Sequence, residues 1–440
     1  MSQTELLHLL VSLTLLLFVV HIMGRAAERL RQPRVAGEIL GGLLLGPTVS
    51  GAVVPGLQHA LFPAAGPVAG ALGGVEQLGL LMLMFLAGSE TRRVARRDLR
   101  LISNVVAVGL VVPFGAGLLV AYRLDLASFA GPADSRAALG LVVASAIAVT
   151  SIPVISRIML DLGILGTSFA GVVLSTAVVE DVVLYTVLAV SLGLARAPGE
   201  AATGLPHLLG LDTGTLSAGA YHGLIVLVLF GGVLRLGPAL GRRLARGLPA
   251  DDRPATAAIR CVLLVLAGAA AAAALGVQPM FGAFLAGVVV AEQDGGRQAL
   301  CSSCRTFSLA FFLPVYFGSV GLKLDLVHHF QLVLTVGIVA LACLVKIASV
   351  YAGARLAGEP SGPAVHLAMA LNARGGPGIA LATLTFDAGI IDQTLFTALV
   401  ILAVGTSLLA AGWLRRAVSR GLPLRGEPEP VRSPGPVDRR

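Results

Sequence analysis

The sequence predicts an all-helical integral membrane protein of about thirteen spans, built as two inverted repeats that each contain a broken helix. Three observations predict it. The 440 residues are 56% apolar and only 13% charged, with a mean hydropathy of +0.88; soluble domains carry about 25% charged residues. The apolar residues gather in separate segments too long and too uniformly apolar for barrel strands, several of them close to the ~20 residues a helical crossing needs. Gly and Pro clusters interrupt two of these segments at corresponding places in the two halves of the chain.

In order, the segments lie at about 5–23, 34–54, 73–90, 99–122, 136–160, 167–194, 217–240, 256–275, 279–293, 306–322, 329–356, 363–386 and 392–414. The start, MSQTELLHLL, has neither a positive region nor a small-residue cleavage site, so it reads as a retained first span rather than a signal peptide. Gln32-Pro33 opens the second segment and Gln278-Pro279 the ninth, each with a glycine eight residues after the proline, Gly41 and Gly287. Phe85-Leu-Ala-Gly88-Ser89 ends the third; Tyr316-Phe-Gly318-Ser319 lies late in the tenth. Six spans, one connecting span and six more give two repeats of opposite orientation, the pattern of secondary transporters.

Arginines orient the segments. Arg25, Arg29, Arg31 and Arg34 follow the first; Arg92, Arg93, Arg96, Arg97 and Arg100 the third; Arg235, Arg242, Arg243, Arg246 and Arg253 the seventh; Arg297 and Arg305 the ninth; Arg355 the eleventh; and Arg415, Arg416, Arg420 and Arg425 the last. The alternate loops carry Arg123, Arg136, Arg196 and Lys323. The positive-inside rule then places the N-terminus outside and the C-terminus in the cytoplasm, which requires an odd number of spans. The basic residues sit in short loops with no basic, aromatic-rich soluble patch, so nucleic acid is not a partner; lipid is. Cys301-Ser-Ser-Cys304 lacks a second pair or nearby histidines and is read as without metal or redox function.

The chemistry is expected where the interruptions meet buried charge. The sixth segment carries Glu180 and Asp181 side by side in its middle. A charge at the bilayer centre costs about 2.5–3.5 kcal/mol on insertion scales, so an adjacent pair indicates an ion or proton site inside a bundle. The alternative is an acid pair neutralised by a buried base for packing alone. The fifth segment contains Thr150-Ser151-Ile152-Pro153 and the twelfth Arg374-Gly375-Gly376-Pro377-Gly378. Such clusters unwind a helix, and unwound backbone at that depth is tolerated where it is buried or lines a cavity; simple proline kinks are the alternative. Two bases share this depth, Lys346 in the eleventh segment and Arg374 at the second break. Glu180 is the favoured partner of Lys346, with Asp181 and Glu38 also in reach of the two bases. Arg374 either joins the site or neutralises half-helix carbonyl ends.

These residues, taken in order, resemble the bacterial monovalent cation:proton antiporter-2 family, the Nap- and Kef-type exchangers. The likeness runs from about residue 5 to 417. It rests on Pro33 with Gly37-Glu38-Ile39 and Leu45-Gly46-Pro47; Phe85-Leu-Ala-Gly88-Ser-Glu90; Thr150-Ser151 and Pro153; Glu180-Asp181; Phe311-Phe312-Leu-Pro314 with Gly321-Leu-Lys-Leu-Asp325; Lys346; and Arg374-Gly375. The resemblance implies a sodium/proton-antiporter-like fold and an elevator-type exchanger of sodium or potassium for protons, with a role in pH homeostasis. It implies core helices at about 99–194 and 329–414, scaffold helices at 5–90 and 256–322, a linker at 217–240 and a disordered tail at 418–440. It also implies a homodimer through the second and ninth spans, in the inner membrane. Asp181 matches the family's ion-binding aspartate, Glu180 its neighbour, Lys346 the lysine that pairs with that neighbour, and Thr150 and Ser151 the oxygen-bearing break; Glu180, Thr150 and Ser151 join Asp181 as cation ligands. Arg374, Pro153, Gly375, Gly376 and Pro377 are expected to compensate charge and hold the breaks. Glu180 stands where the family has aspartate, which adds a methylene. Kef-type members carry a nucleotide-binding domain after the spans; none follows here, so gating by nucleotide or thiol ligands is not expected, nor any cofactor beyond the transported ions.

Two other functions remain in view at this stage. A channel of the same fold would show a selectivity-filter repeat, which is absent. An intramembrane enzyme would show metal-ligand spacing near the acid pair, and there is no H-E-x-x-H and no nearby histidine.

Overall fold

In a computed structural model of the chain, which describes residues 2–89, 99–123, 126–195, 205, 216–247, 254–291 and 304–425, each predicted segment is mostly helical over its described part. The helices are α1 Gln3–Arg29, α2 Arg34–Leu45, α3 Pro55–Leu61, α4 Pro67–Ser89, α5 Leu99–Arg123, α6 Arg136–Ala148, α7 Ile152–Asp161, α8 Ser168–Ala195, α9 Leu216–Gly247, α10 Pro254–Ala274, α11 Pro279–Ala291, α12 Leu313–Leu322, α13 Leu332–Leu356, α14 Ser361–Leu371, α15 Gly375–Asp387 and α16 Gln393–Ser419. Among the described residues, eight helical stretches are long and apolar enough to cross a membrane. Among the described residues there is no β-strand beyond an isolated bridge between Ala130 and Ile391. The arginines at 92–97, Cys301 and the tail beyond 425 lie outside the described residues.

The fifth predicted span is α6 and α7, and the twelfth is α14 and α15. The second is also interrupted, where the sequence reads as continuous. Pro47 has no N–H for the Leu43 carbonyl and its ring collides with that turn. The Gly46 N–H bonds Leu43 O instead, at 3.3 Å, and Pro47–Gly51 forms a single π turn.

The helices pack as two groups. In one, α13 lies along α5, α5 on α6, α6 on α8, α13 on α14 and α16, and α15 on α16. In the other, α1 lies on α2, α12 on α2 and α4, α11 along α4, and α10 on α11. Helix α9 touches α8 of the first group and α11 of the second. The second group closes through small residues, which let helix backbones approach closely. A Cβ on Gly42 would overlap the Gly318 carbonyl, and one on Gly321 that of Ile39. Likewise a Cβ on Gly88 would overlap the Phe284 carbonyl, and one on Gly287 that of Phe85. The second span thus crosses the tenth as the ninth crosses the third, the exchange of partners an inverted repeat produces.

One expectation needs correction. From Met280 to Val290, α11 is buried on every face within its own chain, so the ninth span has no surface to offer a second copy. The second span keeps an outward face, with Leu40 and Leu44 exposed, so the correction applies to the ninth span alone.

The two ends of the molecule differ. At one end the loops tie to each other: Thr48 donates to Leu324 O at 2.7 Å, Ala133 N–H to Gly389 O at 2.8 Å and Asp392 N–H to Phe129 O at 2.9 Å. At the arginine-rich end, a cavity opens between the two groups, with Arg34, Glu38 and Phe317 on one wall and Arg157, Gly376 and Arg415 on the other.

Candidate functional site

Helix α6 stops at Ala148 because Val149 and Ser151 are extended and Pro153 can only begin a new helix. The Ser151 hydroxyl oxygen accepts the Val154 N–H at 3.4 Å as the N-cap of α7. The second break turns on Gly375, whose φ of +36° suits glycine; a Cβ there would overlap Val154. The two breaks are bonded to each other. Ser151 N–H donates to Ala373 O at 2.7 Å, and the Thr150 hydroxyl to Leu371 O at 2.7 Å. Two unwound segments therefore cross in the interior of the first group.

The crossing brings two helix C-termini and two N-termini together, with partial charges of opposite sign. Bases meet the carbonyl ends. Arg374 donates to Ala146 O at 3.0 Å, Ile147 O at 2.6 Å and Asn372 O at 2.9 Å, which are the last turns of α6 and α14. It also donates to Asn372 Oδ1 at 2.8 Å and to Ala342 O of α13 at 3.1 Å. Its guanidinium forms no ion pair with the acids among the described residues; it neutralises carbonyl ends, the second of the two readings open from the sequence. Hydroxyls meet an N–H end. Thr406 Oγ1 accepts from Arg374 N–H at 3.3 Å and Ser407 Oγ from Gly375 N–H at 3.1 Å. Neither hydroxyl carries a local motif that marks it as part of the site. The repeat could have found them, because they stand in the thirteenth span where Glu180 and Asp181 stand in the sixth.

Glu180 and Asp181 lie on α8 and are fully buried, yet their surroundings differ. Glu180 Oε1 and Oε2 both accept from Lys346 Nζ at 2.9 Å. The ammonium also donates to Ala148 O at 2.8 Å, the last residue of α6, and to Gly109 O of α5 at 2.9 Å. Lys346, also fully buried, is thus saturated by one carboxylate and two carbonyls. The pairing expected from the sequence is the one observed. Glu38 pairs instead with Arg34, four residues before it on α2, at 2.8 Å, and meets neither buried base.

Neither oxygen of Asp181 has a hydrogen-bond partner among the described residues. Thr150 and Ser151 donate no bond to it. Buried polar groups are nearly always satisfied, and a carboxylate bare on both oxygens is the exception that calls for an explanation. Its oxygens are hard donors, suited to a proton or a hard monovalent cation. One turn on, Tyr185 faces the second group, with its ring 5.4 Å from Phe284 and 5.9 Å from Phe281 of α11. The bare carboxylate therefore stands close to the boundary between the groups. No cluster of three or more His, Cys, Asp or Glu that could hold a metal occurs among the described residues.

Three comparisons bear on this geometry. A family model described as "Sodium/hydrogen exchanger, transmembrane" matches residues 14–420. The chain is 28% identical over 414 residues to Cation/H(+) antiporter 17 of Arabidopsis thaliana, covering 91% of this chain and 47% of that protein. It is 24% identical over 416 residues to Na(+)/H(+) antiporter NhaS4 of Synechocystis, covering 93% and 97%. The chain thus spans about half the length of the plant relative and nearly all of the cyanobacterial one. Among solved structures, the sodium proton antiporter MjNhaP1 of Methanocaldococcus jannaschii superposes with a TM-score of 0.64 at 15% identity, over 94% of this chain and 99% of that one.

Proposed function

Because the chain belongs to the transmembrane sodium/hydrogen exchanger family, we propose that it is a secondary active antiporter exchanging sodium or potassium for protons at Asp181. The observation that carries this reading is the contrast within the acid pair. Glu180 is charge-balanced by Lys346, whereas Asp181 is buried with neither oxygen hydrogen-bonded among the described residues. One carboxylate that holds a proton or a cation, never both, couples the two flows. The unwound backbone and the hydroxyls of Thr150 and Ser151 supply further oxygens for a cation, and the two acids titrate as one coupled pair.

In this reading the first helix group is an elevator core that carries the site past the second group, a scaffold. The cavity at the arginine-rich end is the open side, and the arginine bias makes that side cytoplasmic in the inner membrane. The deciding experiment is proton flux in proteoliposomes under inward gradients of sodium and of potassium in turn. A cation gradient should drive protons uphill; flux that only dissipates existing gradients would mark a channel. Orientation is checked by single-cysteine labelling on a cysteine-free background: a cysteine at Gly56 should react with impermeant reagent from outside, and reaction only from the cytoplasmic side would reverse the orientation.

Assembly as a homodimer is part of the proposal. With α11 enclosed, the partner must meet an outward face of the scaffold, such as the Leu6, Leu10 and Phe18 side of α1, which is exposed. Mass measurement in lipid nanodiscs should give twice the chain mass of 44.8 kDa; a single-chain mass there would rule the dimer out.

A further inference from the structure

At the end opposite the cavity, one ammonium joins the two helix groups. Lys323, the C-cap of α12, donates to Glu76 Oε1 of α4 at 2.8 Å and to Asp387 Oδ1 and Oδ2, at the end of α15, at 3.1 and 3.3 Å. Glu76 and Lys323 belong to the scaffold and Asp387 to the core. The Lys323 carbonyl also accepts from Gln393 Nε2, at the start of α16 in the core. One turn deeper on the same face of α15 lies Thr383, buried beside Tyr316 of α12. Both hydroxyls lack a hydrogen bond of ordinary geometry among the described residues. Tyr316 in turn lies within electrostatic range of Tyr185, one turn from Asp181. Tyr316 and Thr383 are thus buried polar side chains at this end, between the two groups that the three charges bridge at its rim.

We propose that Glu76, Lys323 and Asp387 form an ionic latch that holds the protein closed at this end and open at the other. The inference rests on the core movement proposed above. Opening here must separate Asp387 from Lys323, because they ride on different groups, whereas Glu76 and Lys323 ride together. Glu76 therefore keeps the ammonium paired in both states and repels Asp387 in the closed one. That arrangement makes the latch releasable and assigns opposite effects to the two acids. Loss of Lys323 or Asp387 favours opening. Loss of Glu76 leaves Lys323 to Asp387 alone and favours closure. A network that merely stabilised the fold would not split in this way.

The test uses a cysteine-free chain carrying Thr383→Cys as reporter of the latched end, and a second chain carrying Ile158→Cys, in the wall of the open cavity. Labelling by an impermeant maleimide is timed from each side. Partly exposed ion pairs shift an equilibrium by about two- to five-fold, so Lys323→Ala and Asp387→Asn should speed labelling at 383 and slow it at 158 by about that factor. Glu76→Gln should do the reverse. Unchanged rates in all three variants, or faster labelling at 383 in Glu76→Gln, would overturn the latch. Asp387→Asn retains the Lys323–Glu76 pair and carries the test if Lys323→Ala does not fold. The parent reporters separate the latch from the movement beneath it. If parent rates respond to sodium, potassium or pH and the variants match the parent, the latch alone is wrong; if parent rates respond to none of these, the movement is wrong and the latch falls with it.

Discussion

Asp181→Asn is expected to reduce cation-driven proton flux to that of protein-free vesicles, for sodium and for potassium, while leaving the protein at least as stable as the wild type. The amide neither titrates nor offers a net negative charge to a cation, so both halves of the exchange are lost together. Stability should not suffer, because Asp181 makes no hydrogen bond or ion pair among the described residues and removing an unpaired buried charge relieves its desolvation cost. Binding offers a second readout. A cation bound at Asp181 should raise the melting temperature of the wild type by mass action, and Asp181→Asn should lose that response. Flux at the wild-type rate in the variant would place the exchange site elsewhere.

Much of this site was legible in the sequence because its determinants are local. Thr150-Ser151-Ile152-Pro153 and Arg374-Gly375-Gly376-Pro377-Gly378 announce broken helices through the chemistry of proline and glycine alone, and the helices end at Ala148 and Leu371 as those clusters require. The Glu180–Lys346 pair was also legible, since few charges share that depth and an isolated one is costly. Other contacts between distant segments were not. Lys323 and Glu76 are 247 residues apart, and neither carries a local pattern that points to the other. Leu45-Gly46-Pro47 marks the interruption after α2, but apolar residues on both sides of it make the run read as continuous. The role of Glu38 failed for a different reason: Arg34 lies one helical turn away on the same face and reaches it at 2.8 Å, and a local i, i+4 partner outcompetes a remote base. The part expected of the ninth span was not legible either, because sequence shows how apolar α11 is, not that its own chain covers every side of it from Met280 to Val290.

Lys346→Ala is expected to destabilise the protein by about 3–5 kcal/mol, the range for breaking a buried ion pair by removing one partner, and to make any residual exchange insensitive to membrane potential. The ammonium serves three acceptor groups: the Glu180 carboxylate, Gly109 O and Ala148 O. Without it, a proton must neutralise Glu180 in its place. The charge count then changes. In the wild type, with a cation on Asp181 and Glu180 paired to Lys346, the three side chains and their ion sum to zero. On the proposal that Glu180 alternates between Lys346 and a proton, protons on both acids with Lys346 released sum to plus one, so one leg of the proposed cycle moves charge across the membrane. In Lys346→Ala, with Glu180 protonated throughout, the cation-bound and proton-bound sites are both neutral. Proteoliposomes clamped at different potentials should therefore show wild-type flux that follows the potential and variant flux that does not. Potential-driven exchange in Lys346→Ala would show that Glu180 does not alternate between Lys346 and a proton. A double variant checks the electrostatic origin of the instability. Adding Glu180→Gln removes the orphaned acid, so thermal melts should recover much of the stability that Lys346→Ala lost; a further loss would trace the defect to packing around α13 rather than to the unpaired charge.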